Sequence, residues 1–164
     1  AHAHGASAEG EIGCLGASEG GEFTGESMYT DPKQAKEFFE RTGIDALAIS
    51  IGTSHGNYPE GMVPKFDIER LREIKRLTNA PLVLHGGSGS GEENILNSVK
   101  NGINKINVGC DFMNANRDAA AKLLRENPEI NYFDLIHQTE KESVGLVKYY
   151  IGLSGSAGKN KNFK

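Results

Sequence analysis

The chain has 164 residues, enough for one ordinary domain, and 37% hydrophobic and 24% charged residues, which is typical of a globular protein. No apolar run is long enough to span a membrane and no secretory signal is visible, so neither a membrane protein nor a secreted one is expected. A net charge of −4 gives no electrostatic reason to expect nucleic acid as a partner. Two cysteines, Cys14 and Cys110, form neither a disulfide framework nor a zinc-finger pattern, which predicts a reducing, cytoplasmic location and a packing role for both.

Strand-like and helix-like segments alternate along the chain. Apolar runs too short for a typical helix predict strands at residues 8–12, 47–51, 82–84 and 105–108. The first helix is capped by Thr30 or Asp31, has Pro32 in its first turn and ends at Gly43, and the second is capped by Asp67. Further helices are predicted at 92–101, 112–125 and 135–150, with loops at 13–28 and 52–66 and a frayed tail from residue 155.

These four strand–helix units predict an α/β fold with a parallel sheet and right-handed crossovers. They would form either a small doubly wound sheet or half of an eight-stranded barrel. The glycine-rich turn after the third strand favours the barrel, because barrel phosphate sites often use the loops after the last two strands. The start at Ala1, without an initiator methionine, favours a cut from a longer chain.

Two histidines, each followed by glycine, come after consecutive strand segments. His55 and His85 lie 30 residues apart, about one strand–helix unit, so neighbouring strands would bring both imidazoles to one edge of the sheet. Catalytic zinc commonly takes three protein ligands and leaves one position open. Each histidine alone is more typical of a solvated loop, but together they favour a shared metal site. His2 and His4 precede the first strand and are predicted to take no part.

The run from His85 to Gly89, His-Gly-Gly-Ser-Gly, is the most specific element of the sequence. Its glycines allow close approach of the backbone to a phosphate, and Ser88 adds a hydroxyl donor. A tight strand-to-helix turn would select glycine as well. The run differs from the dinucleotide and P-loop patterns, which disfavours nucleotide binding. Asn107, at the end of the next strand, would supply an amide to the same anion.

Carboxylates accompany the first strand and the loop after it. Glu9 and Glu11 are two residues apart, so they face the same side of a strand. Glu19 and Glu22 follow on a glycine-rich loop, where a carboxylate can act as a general base that swings in when substrate binds. A solvated acidic loop would have the same composition, and the pattern alone favours it.

Taken together, these residues resemble the class II, zinc-dependent ketose-bisphosphate aldolases, which include the fructose- and tagatose-bisphosphate aldolases. The resemblance runs over nearly the whole chain in the same order. The matching segments are Glu9-Gly-Glu-Ile-Gly, Tyr29-Thr-Asp-Pro, Thr42-Gly-Ile-Asp-Ala-Leu-Ala, Gly52-Thr-Ser-His-Gly-Asn-Tyr, Pro81-Leu-Val-Leu-His-Gly-Gly-Ser-Gly, Gly102-Ile-Asn-Lys-Ile-Asn-Val and Gly155-Ser-Ala.

The family fold is a (β/α)8 TIM barrel, and the resemblance implies that residues 1–164 are its carboxyl-terminal half, with the last four βα units. It implies that His55 and His85 bind zinc, that Glu11 approaches the metal, and that Glu19 is the catalytic residue that moves the C3 proton. The phosphate-binding residues that it implies are Gly56, Gly86, Gly87, Ser88, Asn107, Val108, Gly109 and Cys110. Some family members also hold a monovalent cation, Na⁺ or K⁺, in the same turns.

The implied activity is reversible cleavage of a ketose 1,6-bisphosphate, fructose 1,6-bisphosphate first, to dihydroxyacetone phosphate and glyceraldehyde 3-phosphate, with zinc stabilising the enediolate. The third zinc histidine and a catalytic aspartate belong to the amino-terminal half of the barrel. That half is therefore an expected partner, beside the sugar bisphosphate and further copies of the chain, since the family commonly forms dimers or tetramers. Two other functions stay open: a noncatalytic half-barrel that binds phosphate or metal, and a barrel isomerase or epimerase of sugar phosphates.

The chain departs from the family pattern around three of these residues. The segment Gly16-Ala-Ser-Glu19-Gly20 replaces the usual Gly-Gly, any residue, Glu-Asp around the mobile glutamate. Cys110 stands where a phosphate-binding threonine or serine is common, and Gly109 stands where some members have aspartate. These departures weaken the resemblance at the mobile loop and at one end of the phosphate site.

Overall fold

The computed structural model describes residues 1–13, 16–17, 29–56 and 58–162. Two compact units are formed, Ala1–Val108 and Gly109–Lys164. The strands described in the first unit are β1 (Glu9–Ile12), β2 (Gly16–Ala17), β3 (Ala46–Ile49), β4 (Ser54–His55), β5 (Leu82–Leu84) and β6 (Ile103–Ile106). Its helices are α1 (Pro32–Thr42), α2 (Ile68–Thr78) and α3 (Glu92–Lys100), and the second unit contains α4 (Cys110–Glu126) and α5 (Tyr132–Leu153).

The main sheet of the first unit is parallel and four-stranded, in the order β1-β3-β5-β6. Each of its strands therefore pairs with the next one along the chain, and a helix connects each pair. The predicted α/β fold with a parallel sheet is confirmed.

Helices cover one face of this sheet. A Cβ added at Gly10 of β1 would lie 2.9 Å from the Ile44 side chain and 3.1 Å from that of Phe38 in α1, so Gly10 points toward the helix layer. Because side chains alternate along a strand, Glu9 and Glu11 point to the opposite face. The buried core residues of the sheet and its helices are Ala35, Leu47, Ile49, Leu71, Ile74, Leu82, Leu84, Ile95 and Ile103.

The predicted caps are present at the starts of α1 and α2. Asp31 accepts hydrogen bonds of 2.9 Å from the backbone N–H groups of Lys33 and Gln34, and α1 ends at Gly43 with φ 65°. Asp67 accepts from the N–H of Arg70 at the start of α2. Asp31 is the cap of α1, so Thr30 is left for a different role.

Thr30 ties the ends of two neighbouring strands together. Its side chain is buried, and its hydroxyl donates to the Ile12 carbonyl at 2.6 Å and accepts from the Ser50 N–H at 2.8 Å. Its own N–H donates to the Ser50 carbonyl at 2.9 Å. The short loop before α1 therefore satisfies the carbonyl at the end of β1 and the backbone groups just beyond β3.

The last strand begins two residues earlier than predicted, because it contains a bulge. Ile103 pairs with Leu82 and Lys105 with Val83, so Asn104 is an extra residue between them. The side-chain oxygen Oδ1 of Asn104 accepts from the Leu82 N–H at 3.1 Å and from Lys75 Nζ at 3.1 Å. Because of the bulge, two exposed residues follow each other. The sequence therefore does not alternate between buried and exposed residues at the start of this strand, and the alternation pattern does not predict it.

In the described parts of the loops predicted at 13–28 and 52–66, a short parallel pair forms, in which Gly16 pairs with Ser54 and Ala17 with His55. The strand predicted at 47–51 covers Ala46–Ile49 instead, since the Ser50 and Ile51 carbonyls accept from Thr30 and Asp67 rather than from a strand.

The second unit is a helical hairpin. Tyr150 near the end of α5 donates to Asp111 at the start of α4 at 2.5 Å, and Ser143 donates to Asn116 at 2.8 Å, so the helices run antiparallel. Asn131 caps α5 by accepting from the Asp134 N–H. In the part of the chain that the structure describes, no helix is long and apolar enough to cross a membrane.

Replacing Thr30 by valine tests the strand tie. Thr30→Val keeps the shape of the side chain but leaves a buried carbonyl and a buried N–H without this partner, so the free energy of unfolding should fall by about 2–4 kcal/mol. Thr42→Val is the matched control, because the Thr42 hydroxyl is exposed and only back-bonds to Phe38 within α1. Urea denaturation measures both, and equal losses would contradict the role given to Thr30.

The Tyr150–Asp111 bond gives the helical hairpin a dependence on pH. Burial first, and then the Asp111 carboxylate, raise the pKa of Tyr150 above its usual 10. Because the folded pKa is higher, the stabilisation is complete below pH 10 and is lost as pH rises beyond it. Tyr150→Phe should destabilise the hairpin by about 1–3 kcal/mol at pH 8 and by progressively less above pH 10, as followed by circular dichroism. A constant difference between pH 8 and 11 would contradict this.

Candidate functional site

Charged side chains occupy the face of the main sheet that the helices leave uncovered. Glu9 of β1 and Lys105 of β6 belong to the two edge strands, yet Lys105 Nζ lies 2.9 and 3.2 Å from the two Glu9 carboxylate oxygens. The pair bridges the sheet over Ala48 of β3 and Val83 of β5, both of which are completely buried. We call the surface formed by Glu9, Glu11, His85 and Lys105 the polar face.

His85 directly follows β5 and lies between the two carboxylates of β1. Its Nε2 is 3.4 Å from Glu9 Oε1, and its Nδ1 is 3.4 Å from Glu11 Oε2. The imidazole is the least exposed of the group, at 15% of its side-chain surface against 32% for Glu9 and 41% for Glu11. Glu11, which the resemblance implies approaches the metal, thus lies beside one of the two histidines that the resemblance implies bind it.

The Lys105 ammonium controls the charge of Glu9. Its hydrogen bond is the largest influence on the Glu9 carboxyl and holds the pKa below the usual value, against an opposing effect of burial, and His85 acts in the same direction as Lys105. Glu9 is thus an anion at neutral pH. The carboxylates of β1 and the imidazole that follows β5 are groups that bind a divalent cation or transfer protons.

Among the side chains that the structure describes, no three His, Cys, Asp or Glu residues converge to hold a metal ion. Glu9 and Glu11 face different ring nitrogens of His85, so they do not share a common point with it. His55 belongs to β4 and pairs through its backbone with Ala17, but its side chain lies outside what the structure describes. Glu19 also lies outside the described residues.

The glycine-rich turn after β5 packs closely against its neighbours. Gly86 has φ 66°, and a Cβ there would lie 2.4 Å from the Ser54 carbonyl oxygen. A Cβ at Gly87 would lie 2.7 Å from the Ile106 side chain and 3.0 Å from the Asn107 carbonyl oxygen. Contact with the segments beside β5 therefore requires both glycines, whether or not the turn binds a phosphate.

The remaining residues of the predicted phosphate site fall in both units. Gly56 follows β4 with φ 94°, Ser88 is buried within the turn, and the Asn107 N–H donates to the Leu84 carbonyl at 2.9 Å. Asn107 and Val108 end the first unit. Gly109 and Cys110 begin the second, where Gly109 precedes α4 and Cys110 is its first residue.

Tyr58 and Lys105 are site residues that the sequence analysis did not identify. The Tyr58 hydroxyl accepts from the Ser54 N–H at 2.9 Å, and a Cβ at Gly89 would lie 3.2 Å from its ring. Burial raises the pKa of this phenol. The bulge before Lys105 disrupts the alternation pattern, so the direction of the Lys105 side chain was not predicted. A lysine inside a predicted parallel strand was nevertheless a signal of a paired charge.

Comparison with known proteins places the chain among aldolases. The family model described as fructose-bisphosphate aldolase class-II matches residues 1–159. The YdjI aldolase from Escherichia coli K12 is 34% identical with a TM-score of 0.77, and its alignment covers 96% of this chain and 53% of that one. A candidate fructose-1,6-bisphosphate aldolase from Coccidioides immitis is 30% identical, with a TM-score of 0.77 and coverage of 96% and 55%.

A more distant structure agrees in fold. A fructose-bisphosphate aldolase from Campylobacter jejuni is 24% identical, with a TM-score of 0.71 and coverage of 94% of this chain and 53% of that chain. The chain thus spans little more than half the length of these solved structures.

Alanine at Gly86 tests the packing of the turn. Gly86→Ala would introduce a Cβ against the Ser54 backbone, whereas Gly43→Ala has nearly the same φ and meets nothing within 4 Å. Both variants carry the cost of the left-handed conformation, so Gly86→Ala should lower the free energy of unfolding by about 1–3 kcal/mol more than Gly43→Ala. Chemical denaturation measures the difference, and equal losses would show that the turn is not tightly packed.

Proposed function

The chain belongs to the class II fructose-bisphosphate aldolase family, and we propose that residues 1–164 form the carboxyl-terminal half of a (β/α)8-barrel aldolase. The order of the main sheet supports the barrel, because its four parallel strands follow the order of the chain. A doubly wound sheet instead reverses its strand order at a switch point. The alignment to little more than half of each solved relative agrees with a half-barrel.

The polar face would line the interior of that barrel. In an eight-stranded barrel, alternate residues of each strand point inward, and strands three positions apart lie nearly opposite each other across the interior. The Glu9–Lys105 contact between the first and fourth strands of the sheet fits this arrangement. The amino-terminal half of the same barrel, which is a proposed partner, would pair with the edges of β1 and β6.

The reaction that we propose is reversible cleavage of a ketose 1,6-bisphosphate, with fructose 1,6-bisphosphate as the first candidate, to dihydroxyacetone phosphate and glyceraldehyde 3-phosphate. The observation that carries the proposal is the position of His85 between Glu9 and Glu11 after β5, within a chain of this family. Active sites of (β/α)8 barrels lie at this end of the strands.

The donor types on the polar face fit Zn²⁺, which takes imidazole nitrogen and carboxylate oxygen in catalytic sites. His55, His85 and Glu11 would hold the ion together with a histidine from the other half of the barrel. When bound, the metal would supply Lewis-acid polarisation of the substrate carbonyl. Glu19 is proposed to move the proton at C3 of the substrate.

Backbone groups of this chain would hold the phosphate. The proposed set is Gly56, Gly86, Gly87, Ser88, Asn107, Val108, Gly109 and Cys110, with Na⁺ or K⁺ as an additional ligand of the same turns. Backbone N–H groups at successive glycine-rich positions bind phosphate oxygens and so fix one end of the substrate. Fixing that end orients the reacting carbons toward the polar face and lowers the entropic part of the barrier.

One observation favours a second function, a noncatalytic half-barrel that binds phosphate. Among the described side chains there is no group of three metal ligands, whereas Gly86, Gly87 and Ser88 of the glycine-rich turn are all described. A sugar-phosphate isomerase or epimerase would use the same barrel but would not cleave a carbon–carbon bond, so product analysis separates it from the aldolase. We also propose a cytoplasmic location and assembly with further copies of the chain.

Zinc content and cleavage test the aldolase. The chain assembled with the amino-terminal half of the barrel should contain about one zinc ion and cleave fructose 1,6-bisphosphate, and His55→Ala or His85→Ala should remove the metal and lower cleavage at least about 100-fold. His137→Ala is the control, because that side chain lies exposed on α5. Elemental analysis and a coupled assay measure both quantities. Absence of zinc from the assembled protein would leave the phosphate-binding half-barrel as the better account.

A further inference from the structure

His85 lies at the same distance from two carboxylates, one beside each ring nitrogen. Either carboxylate can therefore accept a hydrogen bond from the nitrogen that carries the proton. Nε2 is 3.4 Å from Glu9 and Nδ1 is 3.4 Å from Glu11. A neutral imidazole carries one proton, and the nitrogen without it is the one that can bind a metal. The carboxylate that accepts the N–H bond therefore determines which nitrogen remains for the metal.

The two carboxylates differ in how firmly they are held. Both oxygens of Glu9 accept from Lys105 Nζ, which reaches across the sheet. Glu11 is the more exposed of the two, and its contact in the described part of the chain is with His85 alone. Glu9 is thus a fixed acceptor, whereas Glu11 can turn toward a ligand after losing a single long contact.

Charge separates the two sides of the imidazole further. A divalent cation beside Nε2 would lie next to Glu9 and therefore close to the Lys105 ammonium, which would repel it. A cation beside Nδ1 would lie next to Glu11. Two ligand atoms on one tetrahedral zinc ion are about 3.4 Å apart when both bonds are 2.0–2.1 Å long, and this equals the separation of Nδ1 from Glu11 Oε2.

We propose that Glu9 and Lys105 are positioning residues: Lys105 fixes the Glu9 carboxylate, which accepts the Nε2–H of His85 and leaves Nδ1 to bind the metal beside Glu11. The part that concerns the metal rests on the proposed function. The tautomer of His85 does not, because the Glu9 and Lys105 contacts from which it is argued are made within this chain. Carboxylates that orient a metal-binding histidine in this way commonly affect metal affinity as strongly as a weak ligand does.

The tautomer is tested in the metal-free 164-residue chain at pH 8 by long-range proton–nitrogen NMR of labelled histidine, with His85→Gln assigning the signals. We expect a protonated Nε2 and a bare Nδ1 in the parent. Glu9→Ala should move the proton toward Nδ1, whereas Glu9→Gln should keep it on Nε2 because the amide oxygen still accepts. Glu40→Ala is the matched control, since Glu40 pairs with Lys36 at 3.2 Å on the exposed side of α1.

The role of Lys105 is tested by the same spectra. Lys105→Met should reduce the preference for Nε2–H and Lys105→Arg should retain it, because only the arginine restores a cation to Glu9. A protonated Nδ1 in the parent, or identical His85 spectra in the parent and in Glu9→Ala, would overturn the proposal. If Glu9→Ala does not fold, the spectrum of the parent and the comparison of Lys105→Met with Lys105→Arg still test the proposal.

Zinc affinity, measured by competition with a chromophoric chelator, tests the consequence for the metal. Glu9→Ala should weaken binding about 10–100-fold and Glu9→Gln much less. Equal affinity of the parent and Glu9→Ala would overturn the positioning role while leaving the metal site intact. An affinity that His85→Ala does not change would instead count against the metal site of the proposed function, so the two failures are distinguishable.

Discussion

One ion pair joins the two edges of the main sheet, and the arrangement of the polar face depends on it. Glu9 and Lys105 meet above Ala48 and Val83, which leave room for the longer side chains because they are small. Lys105 is half exposed, so the pair itself contributes no more than about 1 kcal/mol to stability. Its main effect is geometric: it keeps an ionised carboxylate at a fixed position next to His85.

The glycine turn shows why a sequence motif for binding and a motif for packing look alike. Gly86 lies against the Ser54 backbone, and Gly87 lies against Ile106 and Asn107, so the turn after β5 touches the segments on both of its sides. A phosphate-binding turn needs backbone groups from several strand ends close together. Tight packing of those ends produces the same closeness, which means that the glycines satisfy both requirements at once.

The sequence predicted the parts of the fold that local patterns determine. Asp31 and Asp67 cap their helices, and the strand before His85 is buried as expected. Contacts between distant residues were not predictable in this way. Thr30 was weighed as a helix cap, yet it ties β1 to β3, and Lys105 was hidden by the bulge at Asn104. Both depend on partners 18 or more residues away, and no local period encodes such partners.

The charges of the polar face explain why a lysine belongs there. Without Lys105, two uncompensated carboxylates would lie on either side of one imidazole, and a cation would be attracted to both sides of the ring. Lys105 offsets the charge of Glu9 and leaves that of Glu11 uncompensated among the described residues. On the proposal made above, the same lysine directs a cation to the opposite nitrogen, so a residue that touches neither the proposed metal nor the proposed substrate would select the side of the ring at which the metal binds.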